Sequence, residues 1–237
     1  MYADDLILLS PTVLGLQVML NCCHDISFDL LLQFNCNKST CSAVGVGSLN
    51  VIKELQLGTR NISWCSDFKY LGVSFNAGMN LTVDLSTTKR KFFCACNSII
   101  GNTHGLDELL QLSLQESYCL PILQYATVAL RLSKLQVAEL NSCWNSVFRR
   151  VFGFRKFDPV REFINGLGRL DFAHLRTYLT LKFYKNAQFC QNITFKRLFV
   201  LFRHSTEFKS VCTDAGLSCD AHLTSAALAR ARATLSI

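Results

Sequence analysis

Tyr2-Ala3-Asp4-Asp5-Leu6-Ile7-Leu8-Leu9 sets two adjacent carboxylates against an apolar run. Like charges held side by side repel unless a cation lies between or in front of them, and an exposed turn would favour Gly or Asn beside Asp. A divalent ion suits the pair, because Mg²⁺ takes hard oxygen ligands and is often held by one or two carboxylates plus substrate phosphates. Met1–Ala3 and Leu6–Leu9 therefore read as two strands joined at Asp4-Asp5, a metal platform for phosphoryl or nucleotidyl transfer. An ordinary Asp-Asp turn is the competing reading.

Moving outward, Ser10-Pro11 reads as an N-cap and first-turn proline. They open a helix from Thr12 to about Leu31 with Leu16, Leu20, Cys23 and Leu31 among its buried positions. Phe34-Asn35-Cys36-Asn37-Lys38-Ser39 is a turn. Strand-like segments follow at Cys41–Val46, Leu55–Leu57, Ile62–Cys65 and Phe68–Phe75, with Gly45, Gly47, Gly58 and Asn61 as breakers. From Val83 the texture turns helical: Val83–Ile100, Leu106–Cys119, Pro121–Leu130, and Lys134–Phe152 capped by Ser133 and stopped at Gly153. Asp158-Pro159 opens a short helix to Asn165, and Asp171 caps Phe172–Phe189. Beyond Arg203 the periodicity is weak and ends in an Ala/Arg stretch, so a poorly packed tail is expected. A composition break falls near residues 80–85.

Half of the 237 residues are apolar and 17% are charged, so the chain can bury a sizeable core and is not, as a whole, a disordered segment. The twelve cysteines are scattered, with no paired CxxC clusters and no signal-peptide pattern ahead of them. They read as reduced, mostly buried thiols of an intracellular protein that is not secreted. Cys212, Cys219 and His222 lack the tight knuckle of a structural zinc site. The most apolar segment, Tyr118–Leu132, is broken by Pro121, Gln124 and Arg131 and is shorter than the ~20 residues of a membrane span. Charge is uneven: residues 1–85 carry four Lys/Arg against seven Asp/Glu, whereas residues 86–237 carry twenty against ten. A basic half suits a polyanionic partner, and solvated helix faces would account for it equally.

The order of these segments resembles the palm of a reverse transcriptase, with spacing similar to that of non-LTR (LINE-type) retrotransposons. Tyr2-Ala3-Asp4-Asp5 resembles the YxDD motif, Phe34–Ser39 the next palm motif with its turn lysine, and Phe68-Lys69-Tyr70-Leu71-Gly72-Val73 the "KYLG" strand. Trp144-Asn145 followed by Phe148-Arg149-Arg150-Val151-Phe152-Gly153-Phe154, and then Gly166-Leu167-Gly168-Arg169-Leu170, are similar to the thumb and post-polymerase helices. The resemblance covers roughly residues 1–200.

What the resemblance implies is an α+β chain: a partial polymerase palm (β-hairpins plus one helix, 1–82), an all-α thumb and post-polymerase region (83–202), and a weakly ordered tail (203–237). Asp4 and Asp5 would bind two ions, Mg²⁺ or Mn²⁺, that polarise the primer hydroxyl and clamp the transferring phosphate. Tyr2 and Ala3 would flank the primer terminus, and Tyr70, Leu71 and Gly72 would support the primer. Lys38 would reach the triphosphate of the incoming nucleotide; a solvated turn lysine is its other reading. Lys89, Arg90, Lys91, Arg149, Arg150, Arg155 and Lys156 are the candidates for the nucleic-acid backbone, near Phe92, Phe152 and Phe154. The implied partners are an RNA template, a DNA primer and deoxynucleoside triphosphates, in the nucleus or cytoplasm, with no membrane.

The departure from the family pattern is large. A palm needs a further metal-binding Asp on an earlier strand and the fingers, both of which precede YxDD in that family. Asp25 and Asp29 fall on the first helix and Asp67 precedes the primer strand, so none has a matching context. The chain is therefore expected to be the C-terminal portion of a reverse transcriptase, inactive alone and weak in metal binding. The alternative is a non-enzymatic nucleic-acid-binding remnant that uses the basic helical region. A third reading is a structural domain in which Asp4-Asp5 is only a turn.

Overall fold

Thr12 starts the first helix: its Oγ1 accepts from the Gly15 N–H at 3.1 Å, and α1 runs Val13–Asp29. The cap expected at Ser10 moves two residues on, because the Ser10 hydroxyl is occupied with Thr12, accepting from its N–H and donating to its carbonyl. The structure, a computed structural model, describes residues 5–46, 53–218 and 223–236. It divides into two units, Met1–Asp84 and Leu85–Ile237, and the class is α+β as expected.

In the first unit α1 stops short of Leu31. The Leu32 N–H bonds the Ser27 carbonyl and the Leu31 N–H that of Phe28, the paired bonds of a Schellman end. Leu31 takes the left-handed position (φ 54°) and is 94% exposed. It was expected in the core; closing the helix turns it outward instead. Cys23 is only half-buried.

Leu6–Leu9, expected as a strand, has no regular structure; Leu8 packs on the core while Leu6, Ile7 and Leu9 stay exposed. Met1–Ala3 lie outside the described residues. The core joins Leu20 of α1 to β1 (Thr40–Cys41), β2 (Leu55–Leu57) and β3 (Arg60–Trp64) through Cys41, Leu55, Leu57 and Ile62. β3 is central, parallel to β1 and antiparallel to β2. Gln17 ties α1 to β2, donating to the Gln56 carbonyl and accepting from its N–H at 2.8 and 2.9 Å.

The expected strand Cys41–Val46 is reduced to Thr40–Cys41, and Gly45 beyond it takes φ 84°. Asn61, expected as a breaker, sits inside β3 opposite Gln56.

A second antiparallel sheet holds β4 (Asp67–Tyr70), β5 (Val73–Ala77) and β6 (Leu81–Asp84) in that order. Phe68–Phe75 is thus a hairpin rather than one strand, with Phe68 stacked on its cross-strand partner Phe75 at 5.3 Å. β6 was not expected. Val83 was assigned to a helix, but it pairs with Phe75, and the helix α2 (Ser86–Asn102) begins only after Leu85.

The second unit is helical. α3 (Glu108–Tyr118) and the short α4 (Leu120–Gln124) follow α2. The expected helix to Leu130 breaks at Tyr125. Carbonyls beyond it are satisfied from another helix, since the Arg176 guanidinium donates to Thr127 O and Leu130 O at 3.2 and 3.1 Å. α5 (Lys134–Val151) has the anticipated Ser133 cap, closed into a capping box by Gln136. It buries Leu140, Cys143, Trp144, Val147, Phe148 and Val151. α2 and α5 run in the same direction, joined by Lys89–Glu139, by the Phe92 and Trp144 rings (6.5 Å) and by Arg150–Asn97.

α6 (Arg161–Gly166) is capped at Val160 and not at Asp158. Asp158 instead closes the preceding turn, its Oδ2 accepting from the Arg155 N–H and its carbonyl from Arg149 Nε. α7 (Phe172–Ala187) is capped by Asp171 as expected.

Residues beyond Arg203 pack against the expectation. α8 (Ile193–Arg203) is followed by α9 (Thr206–Asp214) and α10 (Ser225–Leu235). Phe208, Val211, Cys212, Leu228, Ala231 and Leu235 form a buried cluster with Leu181 and Tyr184 of α7. Short helices dilute the apolar period, and alanines at the α10 contact let that helix sit close to its neighbours.

Candidate functional site

Of the metal platform, Tyr2, Ala3 and Asp4 lie outside the described residues. Asp5 is exposed, at a single β-bridge ahead of α1. Among the described residues no group of three His, Cys, Asp or Glu side chains stands close enough to hold a metal ion. Described residues alone therefore do not make up a two-ion site.

The segment Asn35–Ser39 forms the expected turn. Asn35 organises it by accepting from the backbone N–H of Asn37 through Oδ1 and from Lys38 and Ser39 through its carbonyl. Lys38 is exposed, and among the described residues its ammonium has no carboxylate partner. The same turn walls a cleft of about 660 Å³, closed by α1 and the β2–β3 loop and lined by His24, Phe34, Asn35, Asn37 and Arg60. That size suits a small organic ligand. Neither Lys38 nor Asp5 lines it.

Tyr70, Leu71 and Gly72 gather at the tip of the β4–β5 hairpin. Tyr70 pairs with Val73, leaving Leu71 (φ 46°) and Gly72 (φ 81°) as a two-residue loop. Two positive φ values mark the type I′ turn that matches strand twist. Gly72 thus serves the turn itself.

In the helical unit the basic candidates separate. Lys89 Nζ lies 2.7 Å from Glu139 on α5, Arg149 Nε donates to Asp158 O at 2.9 Å, and Arg150 donates to Asn97 at 2.7 Å. Lys156 sits 5.2 Å over the Phe157 ring. Lys89, Arg149 and Arg150 thus tie segments of the helical unit together, whereas Lys156 meets only its chain neighbour. Arg90, Lys91 and Arg155 are exposed without an ion-pair partner among the described residues.

Phe92 is fully buried and so is no stacking platform; Phe152 and Phe154 both pack edge-on against Phe163. The cations of α7 and α10, outside the expected site residues, form no contiguous basic run. The available signal was that neither helix contains Asp or Glu.

The cysteines serve packing. Burial and the neighbouring Cys65 push the Cys41 thiol up to about 11, and burial raises Cys96, Cys119 and Cys143 as well. Such thiols stay protonated at neutral pH and are poor nucleophiles or metal ligands. Cys22 and Cys94 are exposed, against the expectation of mostly buried thiols, and Cys219 and His222 lie outside the described residues. Among the described residues no helix is long and apolar enough to cross a membrane. No protein-family model, curated protein or solved structure matches this chain.

Proposed function

We propose that residues 1–84 belong to the palm of a LINE-type reverse transcriptase and that the helices beyond them derive from its thumb and post-polymerase region. One observation carries the reading. A single unit presents, in palm order, an Asp-Asp pair before a helix, an Asn-rich turn exposing Lys38 after it, and a tight hairpin with Lys-Tyr-Leu-Gly at its tip. The function so assigned is RNA-templated DNA synthesis by nucleotidyl transfer in the intact enzyme, with Mg²⁺ or Mn²⁺ at Asp4 and Asp5. Lys38 would offer its charge to the nucleotide phosphates, and Tyr70–Gly72 would support the primer.

The test is a primer–template hybrid with a photoreactive group on the 3′ primer nucleotide. Crosslinks are expected in the β4–β5 hairpin. Crosslinks confined to residues 85–237 would overturn the palm reading. Any extension seen with Mg²⁺ or Mn²⁺ should vanish in Asp4→Ala and Asp5→Ala; extension that survives both removes these carboxylates from the chemistry.

The second reading is a nucleic-acid-binding remnant without catalysis. It is favoured by the net positive balance of residues 86–237 and by Arg90, Lys91 and Arg155, which have no ion-pair partner among the described residues. It predicts hybrid binding that falls steeply with salt and no hairpin crosslink.

A further inference from the structure

α7 and α10 pack against each other with no acidic residue on either helix. Between them lies a cleft of about 350 Å³ lined by Tyr178, Lys182, Lys185, Asn186, Ser225 and Arg232, and no lining residue is acidic. Lys182 and Lys185 are neighbours at i,i+3, a spacing at which like charges destabilise a helix; Arg232 adds a third cation from the facing helix.

Two of the three cations are held in place by neutral groups. Lys185 Nζ donates to Ser225 Oγ at 2.7 Å, and the Arg232 guanidinium stands 5.9 Å over the Tyr178 ring. Lys182 is exposed and has no ion-pair partner among the described residues. Ser225 is the first residue of α10, capped by Thr224, so the positive end of that helix dipole lies at the same cleft.

Convergent cations with no carboxylate among the described lining residues, together with amide and hydroxyl donors, complement a compact oxyanion. We propose that the α7–α10 cleft is a phosphate-binding site, with Lys182, Lys185 and Arg232 as its charged contacts and Ser225 and Asn186 as neutral donors. The guanidinium fork can take two phosphate oxygens at once, while each ammonium acts as a point charge. The phosphate can belong to a polynucleotide backbone or to a free phosphate compound; the chemistry is shared. The site uses none of the palm residues and stands whether or not the palm reading does.

Calorimetric titration of the full chain with pyrophosphate tests it. Binding is expected in the parent, and Lys182→Gln with Arg232→Gln should weaken it by about tenfold or more, as loss of charged hydrogen bonds does. The charge-conserving variant Lys182→Arg should retain it. Both residues are exposed, and unchanged circular dichroism will verify that the variants fold.

A labelled single-stranded oligonucleotide then identifies the source. If the site holds a strand, pyrophosphate competes with it and the Gln variants lower the salt slope by about 0.7 per lost contact. If the site holds a free phosphate compound, pyrophosphate binds without displacing the strand. No pyrophosphate binding by the parent, or equal binding by the Gln variants, overturns the proposal.

Discussion

Leu31 and Leu71 occupy backbone positions that ordinarily go to Gly or Asn. Both have positive φ, at 54° and 46°, where an L side chain crowds the following carbonyl at a cost of about 1–2 kcal/mol. The chain uses the same helix ending elsewhere with the usual residue: Gly168 closes α6 and Gly216 closes α9, each with the paired Schellman bonds. Leu31→Gly and Leu71→Asn are therefore expected to stabilise the first unit by about 0.5–1 kcal/mol each in urea unfolding. If Leu71 supports a primer, Leu71→Asn should raise stability while lowering hairpin crosslinking, since strain at such a position is kept for function.

Asp171 shows the opposite case, a residue whose chemistry serves stability. Burial alone would raise its carboxyl pKa. The hydrogen bonds from His174, its imidazole and its backbone N–H both at 2.9 Å, together with the His174 charge and then Arg161, hold it below the ordinary value instead. A depressed pKa means that the contribution is complete above the unfolded pKa of about 3.9 and is lost as pH falls through the folded one. Asp171→Ala should cost about 1 kcal/mol at pH 7. The gap between parent and variant should close on acidification below about pH 4, as urea melts at pH 7 and pH 3 will read.

Among the elements, α5 and α10 illustrate two ways of being buried. α5 carries its signal openly: a capping box, large apolar residues at helical spacing and Arg149-Arg150 in its last turn, where cations favour the dipole. α10 packs through Ala227, Leu228, Ala231 and Leu235, and Ala231 is fully buried. The close approach that alanine permits makes this contact sensitive to added volume. Ala231→Leu is expected to destabilise the helical unit by about 1–3 kcal/mol and to raise amide exchange in α9 and α10. Ala229→Leu, at an exposed position of the same helix, serves as the control and should leave both unchanged.

At the scale of the whole molecule the two units differ in how well they cover their apolar surface. In the first unit Leu14, Val18, Ile26, Phe28, Leu30 and Leu32 are exposed along and just beyond α1, and only Leu20 and Ser27 of that helix are buried. The helical unit fully buries Phe92, Trp144, Phe148, Phe172 and Phe208, although α8 leaves Ile193, Leu198, Val200, Leu201 and Phe202 exposed. Small interiors contribute little net stability. Under limited proteolysis the first unit should therefore be cut well before the second; equal resistance of the two would contradict this.

Local chemistry was legible wherever neighbours in sequence decide the outcome. The Ser133 and Asp171 caps and the turn at Asn35–Ser39 are set by groups a few residues apart, so periodicity and capping chemistry reveal them. Other features depend on partners distant in the chain. β6 exists because Val83 meets Phe75, the break after α4 is matched by Arg176 from α7, and Lys89 is an ion-pair partner of Glu139 on another helix. The basic cleft is of this second kind, since Lys182 and Arg232 converge only because α10 folds back on α7. The sequence by itself determined the α+β class and most helices, because these rest on short-range sterics and hydrogen bonding. Tertiary packing alone decided which cations are consumed by the fold and which remain for a ligand, because electrostatic pairing depends on distance in space.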